Sequence, residues 1–354
     1  MPSSIVTQVV SPRQDYATLV RRRLLLLFGM AVLLLISLLV DLSTGPARYG
    51  LWDVAGAVFG AGPEDPKLSA IVWSIRLPAA LMALAVGASL AVAGAQMQTI
   101  LNNPLASPYT LGLSAGASFG AAITLAFGVV LVPAALDYMV PINAFIVAMA
   151  TAFIIYGLSL RRGAGVQTIV LLGIALVFTF NALLSMVQFL ATDQAFAAVV
   201  FWTMGSLTKA TWPKLAVTCA VIAATVPVFA ARRWQLTALR LGDAKAASMG
   251  VPVRRLRLET LILVAMLASV PVAFVGTVGF VGLVGPHIAR MLIGEDQRFL
   301  LPATALCGAL IMSASSIVAK TVLPGATIPI GIVTALVGIP FFIVLILRNG
   351  KSSW

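Results

Sequence analysis

Arg21-Arg-Arg-Leu-Leu-Leu-Leu-Phe-Gly-Met30-Ala-Val-Leu-Leu-Leu-Ile-Ser-Leu-Leu-Val40 is the stretch whose reading decides the fold. A basic triplet before an apolar run fits either a cleaved secretory signal or a first membrane helix. The run Leu24–Val40 is longer than a signal core, and no small-x-small cleavage site follows it. Ser43-Thr44-Gly45-Pro46 is a turn instead. The stretch therefore predicts a membrane-spanning helix with its basic flank in the cytoplasm.

Working outward, the same kind of run recurs along the chain. Of 354 residues, 60% are hydrophobic and 10% are charged, far too little charge to cover a soluble surface. A helix needs about 20 residues to cross the hydrocarbon core. Lipid leaves backbone groups unsatisfied, so the choice is helices or a closed barrel, and solid apolar runs exclude the barrel. Ten spans are predicted, at roughly 22–42, 73–99, 110–131, 141–160, 168–190, 212–230, 257–275, 277–293, 300–319 and 328–347. The expected fold is an all-α polytopic membrane protein. Residues 1–20 form a cytoplasmic N-terminal segment, 21–350 a single membrane-embedded domain, and 236–257 a long inside segment. Residues 43–72 read as an outer loop with a short interfacial helix around Trp52 and Phe59.

The net charge of +12 could suggest nucleic acid, but its distribution argues for a membrane. Arg21–Arg23, Arg161-Arg162, Arg232-Arg233, Arg254-Arg255-Arg257, Arg298 and Arg348 fall on one side of the predicted spans. Of the 23 Lys and Arg, only Arg48, Lys67, Arg76, Lys209, Lys214 and Lys320 fall on the other. Both termini are expected in the cytoplasm, as an even span count requires.

Several chemistries lack their residues. One histidine, His287, makes no His-x-x-x-His pair, and Cys219 and Cys307 lie inside apolar runs, so no metal site is expected. None of the 11 acids is placed near a helix centre, which counts against a proton- or sodium-driven carrier. Gly350-Lys351-Ser352 resembles the end of a nucleotide loop, but position 345 is Leu. The chain is expected to be neither an enzyme nor an ATPase.

Five features carry function or packing. Between Leu236 and Leu258, Thr237 can cap a short helix ended by Gly242, and Asp243 a second ended by Gly250 before Pro252. This is either a rigid docking knob or a solvated loop. Gly276, Gly279, Gly282 and Gly285 precede Pro286, as a close-packed seam or a hinge. Gly112, Gly116 and Gly120 let helices touch backbone to backbone. Asn181, Ser185 and Gln188 share one helix face, for interhelical hydrogen bonds or for lining a polar path. Arg76 and Lys320 sit at outer helix ends, as snorkelling cations or as a contact surface.

Taken in order, these stretches resemble the FecCD-type permeases, membrane subunits of importers for iron–siderophores, haem, vitamin B12 and some oxyanions. The matching text is Arg76-Leu-Pro, Gly94 through Asn103-Pro-Leu-Ala-Ser-Pro-Tyr-Thr-Leu-Gly112, Phe201-Trp-Thr-Met-Gly-Ser-Leu207, and Leu241-Gly-Asp243 with Gly250. It continues in Phe280-Val-Gly-Leu-Val-Gly-Pro-His-Ile-Ala-Arg290 and in the run from Ile328 to Phe342. The resemblance implies two permease copies or paralogues in the inner membrane and two separate ATPase subunits that carry ATP and magnesium. It also implies a substrate-binding protein outside. It assigns ATPase coupling to Leu239, Arg240, Leu241, Gly242, Asp243, Ala247, Met249 and Gly250. It places Asn181, Ser185, Gln188 and Thr334 beside the pathway and Arg76 and Lys320 at the binding-protein surface. The expected cargo is an iron chelate, with haem or vitamin B12 as alternatives; an ion-coupled carrier is the alternative class. The sequence departs from the family pattern at Ala79, Ser316, Lys320 and Thr327, where Arg, Asp, Arg and Glu are usual.

Overall fold

The computed structural model describes residues 12–45, 49–59, 66–132, 138–159, 166–323 and 325–349, and every element in them is helical. Arg48, Arg161-Arg162, Glu64 and Asp65 lie outside the described residues. In chain order the helices are α1 (Pro12–Ser43), α2 (Leu51–Phe59), α3 (Pro66–Ile71), α4 (Leu77–Ile100), α5 (Leu113–Phe127), α6 (Met139–Ser159), α7 (Val166–Leu190) and α8 (Asp193–Thr203). They continue as α9 (Trp212–Ala231), α10 (Arg233–Leu239), α11 (Asp243–Ser248), α12 (Val253–Val275), α13 (Val281–Ile293), α14 (Gln297–Thr321) and α15 (Ile330–Asn349). A π turn over Val72–Arg76 joins α3 to α4 without a break.

Among the described residues seven segments are long and apolar enough to cross a membrane, and the apolar helices α5, α13 and α15 complete the ten expected. Helices α5 and α13 are short for identifiable reasons. Gly128, at φ 65°, ends α5. Gly276, at φ 80°, ends α12, and the chain stays non-helical until Val281. The span expected over 277–293 therefore starts four residues late. Irregular backbone at that depth is tolerated where protein covers it. Thr277 Oγ1 donates to Thr203 O, and Ser206 N donates to Val275 O at 2.7 Å.

Helix α4 is the core. Its sequence is rich in Ala, Gly and Ser, and it is buried along almost its whole length against α14, α12, α13 and α9. Small residues let these backbones approach, which in lipid replaces the hydrophobic drive. Helices α1 and α7 are the opposite case, with Leu25, Phe28, Leu35, Leu171, Phe178 and Phe189 all more than half exposed. Those faces meet lipid or another chain. The segment between α1 and α4 does contain the expected short helix, α2, with Trp52 89% exposed.

Charge segregates to the two ends of the bundle. At one end Arg23 pairs with Asp296 at 3.5 Å, Arg240 with Glu295 at 2.7 Å and Arg257 with Asp243 at 2.8 Å. Asp296 also caps α14, accepting from Arg298 N at 3.1 Å, and the Arg298 guanidinium holds its carboxyl below the usual range. Arg76, Lys320 and Asp41 mark the other end. This is the segregation that the basic loops predicted.

Candidate functional site

The segment between α9 and α12 folds as a compact knob, though not by the expected caps. Thr237 lies inside α10 and returns its hydroxyl to Arg233 O at 2.8 Å. Asp243 opens α11 but does not cap it; its carboxylate takes two bonds from Arg257 Nη2, at 2.8 and 3.0 Å. The glycines act as read. Gly242 sits at φ 95° and Gly250 at φ 81°, a region that side-chain-bearing residues rarely enter. Gly250 N donates to Ala247 O at 2.9 Å and Val251 N to Ala246 O at 3.1 Å, the paired bonds of a Schellman stop.

Leu236, Leu239, Ala246 and Val251 bury one side of the knob. Leu241 is 55% and Met249 45% exposed on the other, beside exposed Ala247. Two large apolar side chains held on a rigid polar surface are what a docking face needs. The knob is also tied down. Arg257 Nε donates to Ile100 O at the end of α4, at 2.8 Å, and Arg240 reaches Glu295 beyond α13. Glu295 and Ile100 are residues that the sequence did not single out, and Arg257 reads there only as a basic loop residue, because each partner lies elsewhere along the chain.

The Gly-Pro run has two jobs. Gly276 ends α12 against Trp202 O and Gly205, while Gly279 faces open space. Gly282 and Gly285 enter a seam shared by α4, α13 and α14. A Cβ on Gly94 would collide with Gly282 O, one on Gly87 with Gly308 O, and one on Gly285 would stand 2.9 Å from Ala91 Cβ. Pro286 belongs to this seam. It removes the amide that would bond Gly282 O inside the helix, and that oxygen instead packs on Gly94. The other glycine series is a packing face: Gly116 meets Thr151 and Gly120 meets Asn143 on α6, while Gly112 is a left-handed turn before α5 against α7.

On α7, Asn181 and Ser185 are exposed and Gln188 is half-buried. Their side chains make no hydrogen bond among the described residues, so the intramolecular glue reading is not how this chain uses them. Thr334 does not join that surface. It is 2% exposed and donates to Gly331 O at 3.1 Å.

At the end opposite the knob, Arg76 and Lys320 line one cavity of about 350 Å³ with Ser206, Thr208 and Thr327. Both cations turn inward. Arg76 is 6% exposed, donates to Leu42 O at 2.8 Å and lies 5.1 Å over the Tyr49 ring. Lys320 Nζ reaches Asp41 Oδ1 at 2.8 Å, and Ser316 Oγ donates to the same carboxylate at 2.9 Å. The acid expected at position 316 has been replaced in space by Asp41 from α1.

Comparison with known proteins fits this architecture. Residues 33–348 match the FecCD transport family. The hemin transport system permease protein of Yersinia pestis is 36% identical over 318 residues, covering 90% of this chain and 95% of that one. The molybdate import system permease protein of Haemophilus influenzae is 33% identical over 335 residues, covering 93% and 97%. A solved structure, described as an inward-facing conformation of a metal-chelate type ABC transporter, gives a TM-score of 0.80 at 32% identity over 91% of this chain and 99% of its own. With ten helices, a rigid knob at the basic end and this match over most of its length, the chain belongs to the FecCD transport family, as a membrane permease subunit of an ABC importer.

Proposed function

We propose that this permease moves an iron chelate of the siderophore class inward across the inner membrane, by ATP-driven alternating access. Haem and vitamin B12 are the neighbouring cargoes. Two copies, or this chain and a paralogue, enclose the path, with Asn181, Ser185 and Gln188 facing it. A separate pair of ATPase subunits, carrying ATP and magnesium, docks on the knob. A binding protein delivers cargo to the end that holds Arg76 and Lys320, where its acidic groups compete with Asp41 and the Leu42 carbonyl.

The observation that carries this reading is the anchored knob with Leu241 and Met249 exposed on it. Docking on that face is tested by Leu241→Asp with Met249→Asp. Both side chains are exposed, so the fold is expected to survive, while co-purified ATPase falls about tenfold or more. Replacing Asp243 and Gly250 together by alanine is expected to uncouple ATP hydrolysis from uptake in vesicles. Retained coupling in both variants would overturn the assignment. Uptake of labelled iron–siderophore, haem, cobalamin and molybdate, compared in the same vesicles, decides the cargo.

A further inference from the structure

Beyond transport, two clefts adjoin on the outside of the bundle at its basic end, where α6, α9 and α12 reach the membrane boundary. One, of about 600 Å³, is lined by Tyr156, Arg254, Arg255 and Glu259. The other, of about 430 Å³, shares Arg255 and Glu259 and adds Arg232 and Trp234. Small-ligand sites fall between about 300 and 1,000 Å³. Three arginines thus surround one glutamate, in a concave place rather than on an open loop.

Glu259 organises them. It accepts from Arg255 Nε at 2.7 Å and from Arg232 Nη1, and so fixes one guanidinium plane from α12 and one from the junction of α9 and α10. A guanidinium carries five N–H donors in a fixed fork. The remaining donors of Arg232 and Arg255 have no partner among the described residues. Trp234 stands 58% exposed three residues after α9 ends. An amphipathic ring at that depth belongs at a lipid headgroup layer. Basic clefts between helices at this level suit phosphate-bearing headgroups.

We propose that this cleft binds the phosphodiester headgroup of an anionic lipid. Arg232, Arg254 and Arg255 take its oxygens, and Trp234 and Tyr156 take the glycerol and upper acyl region. The lipid then bridges α6 and α12 to α10, the first helix of the knob.

The purified full-length chain in detergent, titrated with cardiolipin, phosphatidylglycerol, phosphatidylcholine or inorganic phosphate, tests this by native mass spectrometry and thermal unfolding. Both anionic lipids are expected to be retained and to raise the midpoint, and phosphatidylcholine and inorganic phosphate are not. Arg254→Gln with Arg255→Gln is expected to weaken binding about fivefold per arginine, about 25-fold for the pair. Both side chains are exposed, so folding should not suffer. Arg21→Gln with Arg22→Gln removes equal charge on α1, which packs on α14 and α4, and is expected to change nothing. An equal loss in that control, equal retention of phosphatidylcholine, or an equal effect of inorganic phosphate would overturn the lipid site.

Discussion

Gly94→Ala is expected to leave almost no folded permease in the membrane. The added Cβ would occupy the position of Gly282 O on α13. That oxygen belongs to backbone, so no rotamer change can clear it. Nor can the helices simply part, because Gly87 against Gly308 and Gly285 against Ala91 close the same seam. Overpacking a core side chain costs about 1–3 kcal/mol. Here backbone lies on both sides, so the cost should reach or exceed the upper figure, a large share of a total near 5–15 kcal/mol. Gly29→Ala on α1 is the matched control. Nothing stands within 4 Å of that site, and alanine gains up to about 1 kcal/mol in helix propensity. Expression and the monodisperse fraction on size-exclusion chromatography compare the two. Equal yields would mean that the seam opens far more easily than its geometry implies.

Lys320→Met should be the second most damaging single change considered. Asp41 is 1% exposed and would keep the Ser316 hydroxyl as its hydrogen-bond partner, with the Arg76 charge still acting on it. Removing one partner of a buried pair costs about 3–5 kcal/mol, since the other charge stays without compensation. The lower end applies, because the Arg76 charge still acts on Asp41 and the 350 Å³ cavity opens beside Lys320. Asp41→Asn should cost less, as the lysine can swing into that cavity. Asp41→Asn with Lys320→Met should recover most of the loss. Thermal unfolding of the four forms in detergent closes a double-mutant cycle. Additive losses would show that the pair contributes nothing of its own.

The ten helices were legible because membrane burial writes itself into long apolar runs, and the charge bias followed from the basic loops. The knob was legible in part. Gly242 and Gly250 are forced by backbone conformation, a local property. The caps assigned to Thr237 and Asp243 were not, because Arg257, 14 residues on, takes the Asp243 carboxylate, and α10 begins four residues before Thr237. Local side-chain chemistry cannot announce a partner supplied by the fold. The same reason hid Asp41. At the end of an apolar run it reads as an interfacial acid, and only the contact of α1 with α14 brings it to Ser316 and Lys320. The spacing of Gly276 to Gly285 suggested either a close-packed seam or a hinge for the whole run, and the structure divides it between a chain break at Gly276 and a seam at Gly282 and Gly285.

That seam gives the bundle stiffness of a particular kind. Where α4, α13 and α14 touch through backbone, no side chain can rotate to absorb a displacement, so the three helices translate or tilt together. At one end this bar is gripped by Arg257 through Ile100 O and by Arg240 through Glu295. At the other it carries Lys320, about 35 Å from the start of α14. A displacement of α10 and α11 is therefore expected to pass along this bar to its Lys320 end. Compliance has to reside at the margins of the bar, in residues 276–280 and in the loop 101–112, where Asn102 and Phe280 already hold strained positive φ angles.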